Sequence, residues 1–284
     1  GSFQKFHSLE LRPVSARVPR IWVLPTVRHA AVQLRQTLTA RSVRQPVPHQ
    51  TREPNMSLYF DDIFYVSPDD RGPVQEGFAR IAPYGLSVTN SAIERTRELS
   101  APYHALICND LPLSPTPDLS KARATLVDEF PYAGSAIDTV LMDLVARKFV
   151  KIRPTMLVGE PGCGKSRFAR RLGEAIGVYV ARIDGASLDS SFGGTSRRYS
   201  TTEPCFPLRA IAQSEKANPL ILLDALEKAA TGRRDGQVWD VLLGFLETET
   251  SSRYHDHALQ MDFDLSFPSY IFTANSRGTL PPPL

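Results

Sequence analysis

Thr155-Met156-Leu157-Val158 runs directly into Gly159-Glu160-Pro161-Gly162-Cys163-Gly164-Lys165-Ser166, and beyond Ser166 the apolar residues Phe168, Ala169, Leu172, Ala175 and Ile176 recur at helical spacing. The first four residues have the character of a short buried strand, and the last set marks one face of a helix that Gly177 stops. The eight residues between fit G-x-x-x-x-G-K-[ST] without a mismatch. Glycines at these positions let the backbone curl so that successive N–H groups face inward as a nest for phosphate oxygens. The helix that follows adds its own unpaired N–H groups and the positive end of its dipole. Lys165 then faces the β- and γ-phosphates, and the Ser166 hydroxyl is offered to Mg²⁺. The loop residues Gly159, Glu160, Pro161, Gly162, Cys163, Gly164, Lys165, Ser166 and Arg167 are therefore the candidate nucleotide contacts, with ATP and Mg²⁺ as the expected ligands.

Working outward, the pattern around the loop alternates. Upstream, Ser135 precedes a helical pattern in Ile137, Val140, Leu141, Leu144, Val145 and Phe149. Downstream come a strand-type run at 178–183, a helix at 208–217, the apolar run Leu220-Ile221-Leu222-Leu223, a helix at 236–247 and a last strand at 270–274. Strands alternating with helices predict an α/β fold, a P-loop parallel sheet flanked by helices on both faces. Asp224 ends the run Leu220–Leu223, which puts a carboxylate at the sheet edge where such folds bind ligands. With Ser166 it forms the candidate magnesium site.

The whole chain has 284 residues, 42% hydrophobic and 22% charged, with a net charge of +3. That is an ordinary composition for a packed domain. The charge is uneven: residues 1–55 hold nine Lys/Arg against Glu10 and Glu53, so the remainder is acidic. A basic, acid-poor stretch can bind nucleic acid, coat a membrane or act as a transit peptide, and a nucleic-acid-stimulated ATPase is a third reading that rests on this tail alone. The expectation is a disordered extension over 1–56, with neither nucleic acid nor a membrane as partner. Residues 57–118 read as a small N-terminal region of unknown role, with a strand-type segment at 57–66, a short helix at 91–100 and a proline-rich linker at 111–119. Residues 119–284 read as the nucleotide-binding core. No apolar run is long enough to span a bilayer. Cys108, Cys163 and Cys205 show neither disulfide nor zinc spacing, which suits a reducing, cytoplasmic location. His255 and His257 alternate in a polar stretch that reads as a solvated hairpin, and the six histidines form no constellation.

Taken together, GEPGCGKS, NPLILLDALEKA (218–229), VLLGFLE (241–247), DFDLS (262–266) and FTANS (272–276) resemble, in order and spacing, the AAA+ module of Lon-type proteases over about residues 154–280. The resemblance implies that Asp224 is the magnesium Asp and that Asn275 is the sensor residue that faces the γ-phosphate side and positions water. Lys165, Asp224 and Asn275 are thus the candidate catalytic set. It also implies that Ala225 stands where the family has its catalytic Glu, so binding is expected to survive while hydrolysis is impaired. A catalytically inactive, nucleotide-gated scaffold is the alternative. Tyr199, in GGTSRRYSTTEP, falls near the pore loop that grips polypeptide. A polypeptide substrate and a homo-oligomeric ring in a complete form are the implied partners. The arginine finger, helical lid and Ser–Lys protease domain of the family have no counterpart in the residues up to Leu284, so the expectation is a core truncated after sensor 1, without peptidase activity.

Overall fold

The computed structural model describes residues 10–13, 72–82, 99–195, 202–229 and 236–275. The expected strand at 57–66, most of the expected helix at 91–100, and Tyr199 lie outside these residues.

Among the described residues there are nine strands: β1 (Glu10–Pro13), β2 (Phe78–Ala79), β3 (Leu111–Pro112), β4 (Thr155–Val158), β5 (Val180–Asp184), β6 (Leu220–Asp224), β7 (Tyr254–Asp256), β8 (Met261–Phe263) and β9 (Ser269–Ala274). The main sheet has the order β1-β4-β9-β6-β5, with β4, β9, β6 and β5 mutually parallel. All five residues of β6 and all six of β9 are buried, as strands covered on both faces require. Their side chains alternate. Leu220 and Leu222 join a cluster with Leu157, Phe168, Leu172 and Ile271, whereas Ile221 and Leu223 join one with Met156, Leu208, Phe245 and Phe272. Each such side chain, fully buried, stabilises the fold by about 1.5–3 kcal/mol.

The helices that matter to the site are α1 (Leu119–Glu129), α2 (Gly134–Met142), α3 (Lys165–Ala175), α4 (Phe206–Ser214) and α5 (Gly236–Leu246). Asp118 caps α1, its carboxylate accepting from the Ser120 and Lys121 N–H groups. Helix α3 supplies Phe168 and Leu172 to one face, and α4 supplies Leu208 and Ile211 to the other.

Two segments differ from the sequence expectation. Within the stretch read as a disordered extension, Glu10–Pro13 instead pairs antiparallel with β4, Glu10 opposite Val158 and Pro13 opposite Thr155. An exposed β4 edge is a template for such pairing, and Pro13 at the strand's end withholds no ladder donor from the middle. The proline-rich stretch read as a linker is stitched into the sheet. Asn218 is the stitch: its Oδ1 accepts the Ser114 N–H at 2.8 Å, and its Nδ2 donates to Ser114 O at 3.2 Å and Val150 O at 2.8 Å. Ala79, Ile81 and Leu111 share the cluster of Ile221 and Leu223, so part of the 57–118 region packs onto the core.

Candidate functional site

The carboxyl ends of β4, β9 and β6 converge at one edge, because parallel register sets Val158 beside Ala274 and Leu223 beside Phe272. The loop leaving β4 turns through Gly162 (φ 80°) and Gly164 (φ 90°), left-handed values that glycine adopts without strain. Gly164 is the N-cap of α3, and Lys165 opens the helix. The Lys165 side chain is buried, and its Nζ donates to Gly159 O at 2.9 Å, Glu160 O at 3.0 Å and Asn275 Oδ1 at 3.0 Å. An ammonium has three N–H donors, and all three are used. Tyr132 lies over the loop, its hydroxyl donating to Cys163 O at 3.2 Å.

Ser166 sits one residue into α3, and its hydroxyl donates to Asp224 Oδ1 at 2.5 Å. The same oxygen accepts from the Thr273 hydroxyl at 2.6 Å, while Oδ2 accepts from Arg182 Nε at 2.9 Å and Nη2 at 2.6 Å. Burial alone pushes the Asp224 carboxyl up. The hydrogen bonds from Ser166, Thr273 and Arg182 outweigh it and hold the group below the usual carboxylate range, so it stays ionised. A cavity of about 240 Å³ opens beside it, with Arg170 and Arg182 in its wall.

Past Asp224 the chain reverses at Ala225 (φ 57°, ψ 55°) into a turn at Leu226–Lys228. The Ala225 N–H donates to Thr273 Oγ1 at 2.8 Å. Glu227, on that turn, accepts from Asn275 Nδ2 at 2.5 Å. Lys165, Ser166, Asp224 and Asn275 therefore stand together. Arg167 does not join them through its side chain, which pairs with Glu129 at 2.8 Å and lies over the Phe130 ring. His255 bonds Asp262 at 2.7 Å across the β7–β8 hairpin, away from these strand ends.

Sequence reading missed Thr273 and Arg182. Thr273 was within reach, since it lies inside FTANS. Arg182 had one signal, a lone charge in an apolar strand.

The site can hold a negatively charged, oxygen-rich ligand and a hard cation. Ser166 and Asp224 offer oxygen donors of the kind magnesium takes. Among the described residues no group of three or more His, Cys, Asp or Glu gathers, so Ser166 and Asp224 would hold such a cation together with phosphate and water oxygens. Among the same residues no helix is long and apolar enough to cross a membrane.

A parallel sheet with a glycine loop feeding a helix, a lysine at its first turn and a carboxylate at the end of the next strand but one defines a P-loop α/β domain. Residues 155–284 match the family model of the ATPase family associated with various cellular activities (AAA). The chain is 31% identical over 172 residues to Lon protease of Clostridium acetobutylicum, covering 59% of this chain and 22% of that protein. It is 32% identical over 184 residues to Lon protease 1 of Sorangium cellulosum, covering 59% and 23%. With the peroxisomal Lon protease homolog 2 of Caenorhabditis elegans it shares 31% over 172 residues, covering 59% and 22%. The chain thus spans under a quarter of the length of these relatives. The matched part is an AAA+ ATPase domain that resembles the ATPase module of Lon proteases.

Proposed function

We infer that this chain binds ATP with magnesium at the Gly159–Ser166 loop and hydrolyses it slowly, as the nucleotide core of a Lon-like, protein-remodelling machine. The observation that supports this best is the 2.5 Å contact between Ser166 and Asp224 beside the buried Lys165. In this reading the loop amides cradle the phosphates and Lys165 exchanges a carbonyl partner for a phosphate oxygen. Ser166 and Asp224 hold the cation, and Asn275 orients water at the γ-phosphate side. Magnesium, when bound, neutralises charge on the β- and γ-oxygens.

The Ala225 side chain offers neither proton acceptor nor hydrogen-bonding group at the position after Asp224, and loss of a general base slows a reaction by about 10²–10⁴. Slow turnover follows, with binding intact. A polypeptide client and a homo-oligomeric ring belong to the same reading, on the strength of the Lon relatives. A cytoplasmic location accords with three cysteines that form no disulfide. Ala225 favours one second reading, a scaffold that binds nucleotide and does no mechanical work.

The deciding experiment measures ATP affinity with and without Mg²⁺, alongside phosphate release, for the unaltered chain and for K165A. Tight uptake that needs both Mg²⁺ and Lys165 is expected. Uptake that ignores both would end this reading.

A further inference from the structure

The carboxylate missing at position 225 has a counterpart two residues on. The left-handed Ala225 swings the Leu226–Lys228 turn back over the end of β9, and this brings Glu227 to Asn275. The Asn275 carboxamide is held from both ends. Lys165 Nζ can only donate, so the Asn275 oxygen faces it at 3.0 Å; the Glu227 carboxylate can only accept, so the Asn275 nitrogen faces it at 2.5 Å. This chemistry fixes which way the amide points, an orientation that Asn by itself leaves open. Glu227 itself is half-buried. Its Oε2 is buried without a partner, and among the described residues no salt bridge involves it. Burying a carboxylate oxygen without a partner is unfavourable. The one side-chain hydrogen bond that Glu227 makes among the described residues goes to the residue assigned to orient water.

The geometry points to Glu227 as a positioning residue for ATP hydrolysis, acting through Asn275 and standing in for the acid that Ala225 lacks. This rests on the ATPase reading above. Glu227 fixes the Asn275 rotamer, and Asn275 in turn meets the nucleotide.

The test uses the full chain and Mg-ATP. Affinity and single-turnover phosphate release are measured for the unaltered protein, E227A, E227Q, N275A, the double variant E227A/N275A, and K165A. Uptake of Mg-ATP by E227A within about threefold of the unaltered chain, with release slowed about 10- to 100-fold, is expected of a supporting residue. E227Q keeps an oxygen acceptor for Asn275 and should stay within about threefold in both. The double variant should be no slower than N275A alone, because the two side chains act as one unit. In a ¹H–¹⁵N spectrum the Asn275 side-chain amide pair, identified by its loss in N275A, should move in E227A and hold its place in E227Q. E227A turning over like the unaltered chain overturns the proposal. So do losses that multiply in the double variant, and an equal fall in E227Q and E227A, which would make Glu227 the proton acceptor itself. Release from the unaltered chain no faster than from K165A overturns it as well. Failure of the unaltered chain to take up Mg-ATP removes the ATPase reading first and this proposal with it.

Discussion

The Thr273 hydroxyl donates to Asp224 Oδ1 at 2.6 Å while accepting the Ala225 N–H at 2.8 Å. One side chain on β9 therefore aims the carboxylate at the end of β6 and anchors the reversal that follows it. Both Thr273 and Asp224 are almost completely buried, so water cannot replace the bond. T273V keeps the shape and removes the hydroxyl, leaving the Ala225 N–H without a partner. We expect a loss of about 1–3 kcal/mol in urea unfolding. Mg-ATP affinity should fall about tenfold as Asp224 loses its orientation, with a smaller change in Mg-free ATP affinity.

Gly185, the residue after β5, touches the same reversal. A Cβ there would stand 2.2 Å from Ala225 O and 2.8 Å from Ala225 C, both backbone atoms that cannot rotate away. G185A must displace the Asp224–Ala225 peptide and should cost about 1–3 kcal/mol or more. Gly134 provides the contrast, since a Cβ there meets nothing within 4 Å. G134A should leave the urea midpoint unchanged or raise it, through lower entropy of the unfolded chain.

Lys151 gives the opposite end of the sheet a pH dependence. Its Nζ donates to Ser266 O and Pro268 O, each at 2.6 Å. Burial, with a smaller contribution from Arg147, pulls its pKa from 10.5 to about 8. Between those values the unfolded chain keeps a proton that the folded chain has released. Stability contributed by this group therefore rises as pH climbs from about 8 to 10.5. K151M removes the titration. Relative to K151M, the unaltered chain should gain on the order of 2 kcal/mol between pH 7.5 and 10 in urea unfolding. Parallel pH curves for the two proteins would refute the assignment.

What was legible in the sequence was local. The phosphate loop, the apolar runs of β4 and β6 and the helical face of α3 each declare themselves within a dozen residues. Boundaries slipped where hydrogen bonds decided them. The expected strand at 178 begins at Val180 because the Val178 N–H closes the end of α3 on Gly173 O. The helix expected to reach 217 ends at Ser214, where Glu215 turns left-handed. Asp224 was visible as a charge at the end of an apolar run. Its pairing with Thr273 and Arg182 was not, because each comes from a different strand that only the sheet order makes adjacent. Glu227 was visible as an acid, but its bond to Asn275 depends on the backbone reversal at Ala225, which no local pattern announces.

That reversal sets up the remaining prediction. Ala225 already carries a Cβ in the left-handed region, at a cost of about 1–2 kcal/mol relative to an ordinary conformation. A225E therefore adds a carboxylate without new backbone strain, at the position the Lon resemblance gives to the catalytic acid. A225G should relieve the strain and raise stability by about 1 kcal/mol while leaving turnover where it is. For A225E we expect ATP affinity within about threefold and phosphate release faster by about 10² or more, the scale on which a general base acts. The comparison with A225G separates a chemical gain from a change in backbone freedom. Release that stays slow in A225E with affinity intact would leave the scaffold reading standing, because a domain built to turn over nucleotide should respond when its missing acid is returned.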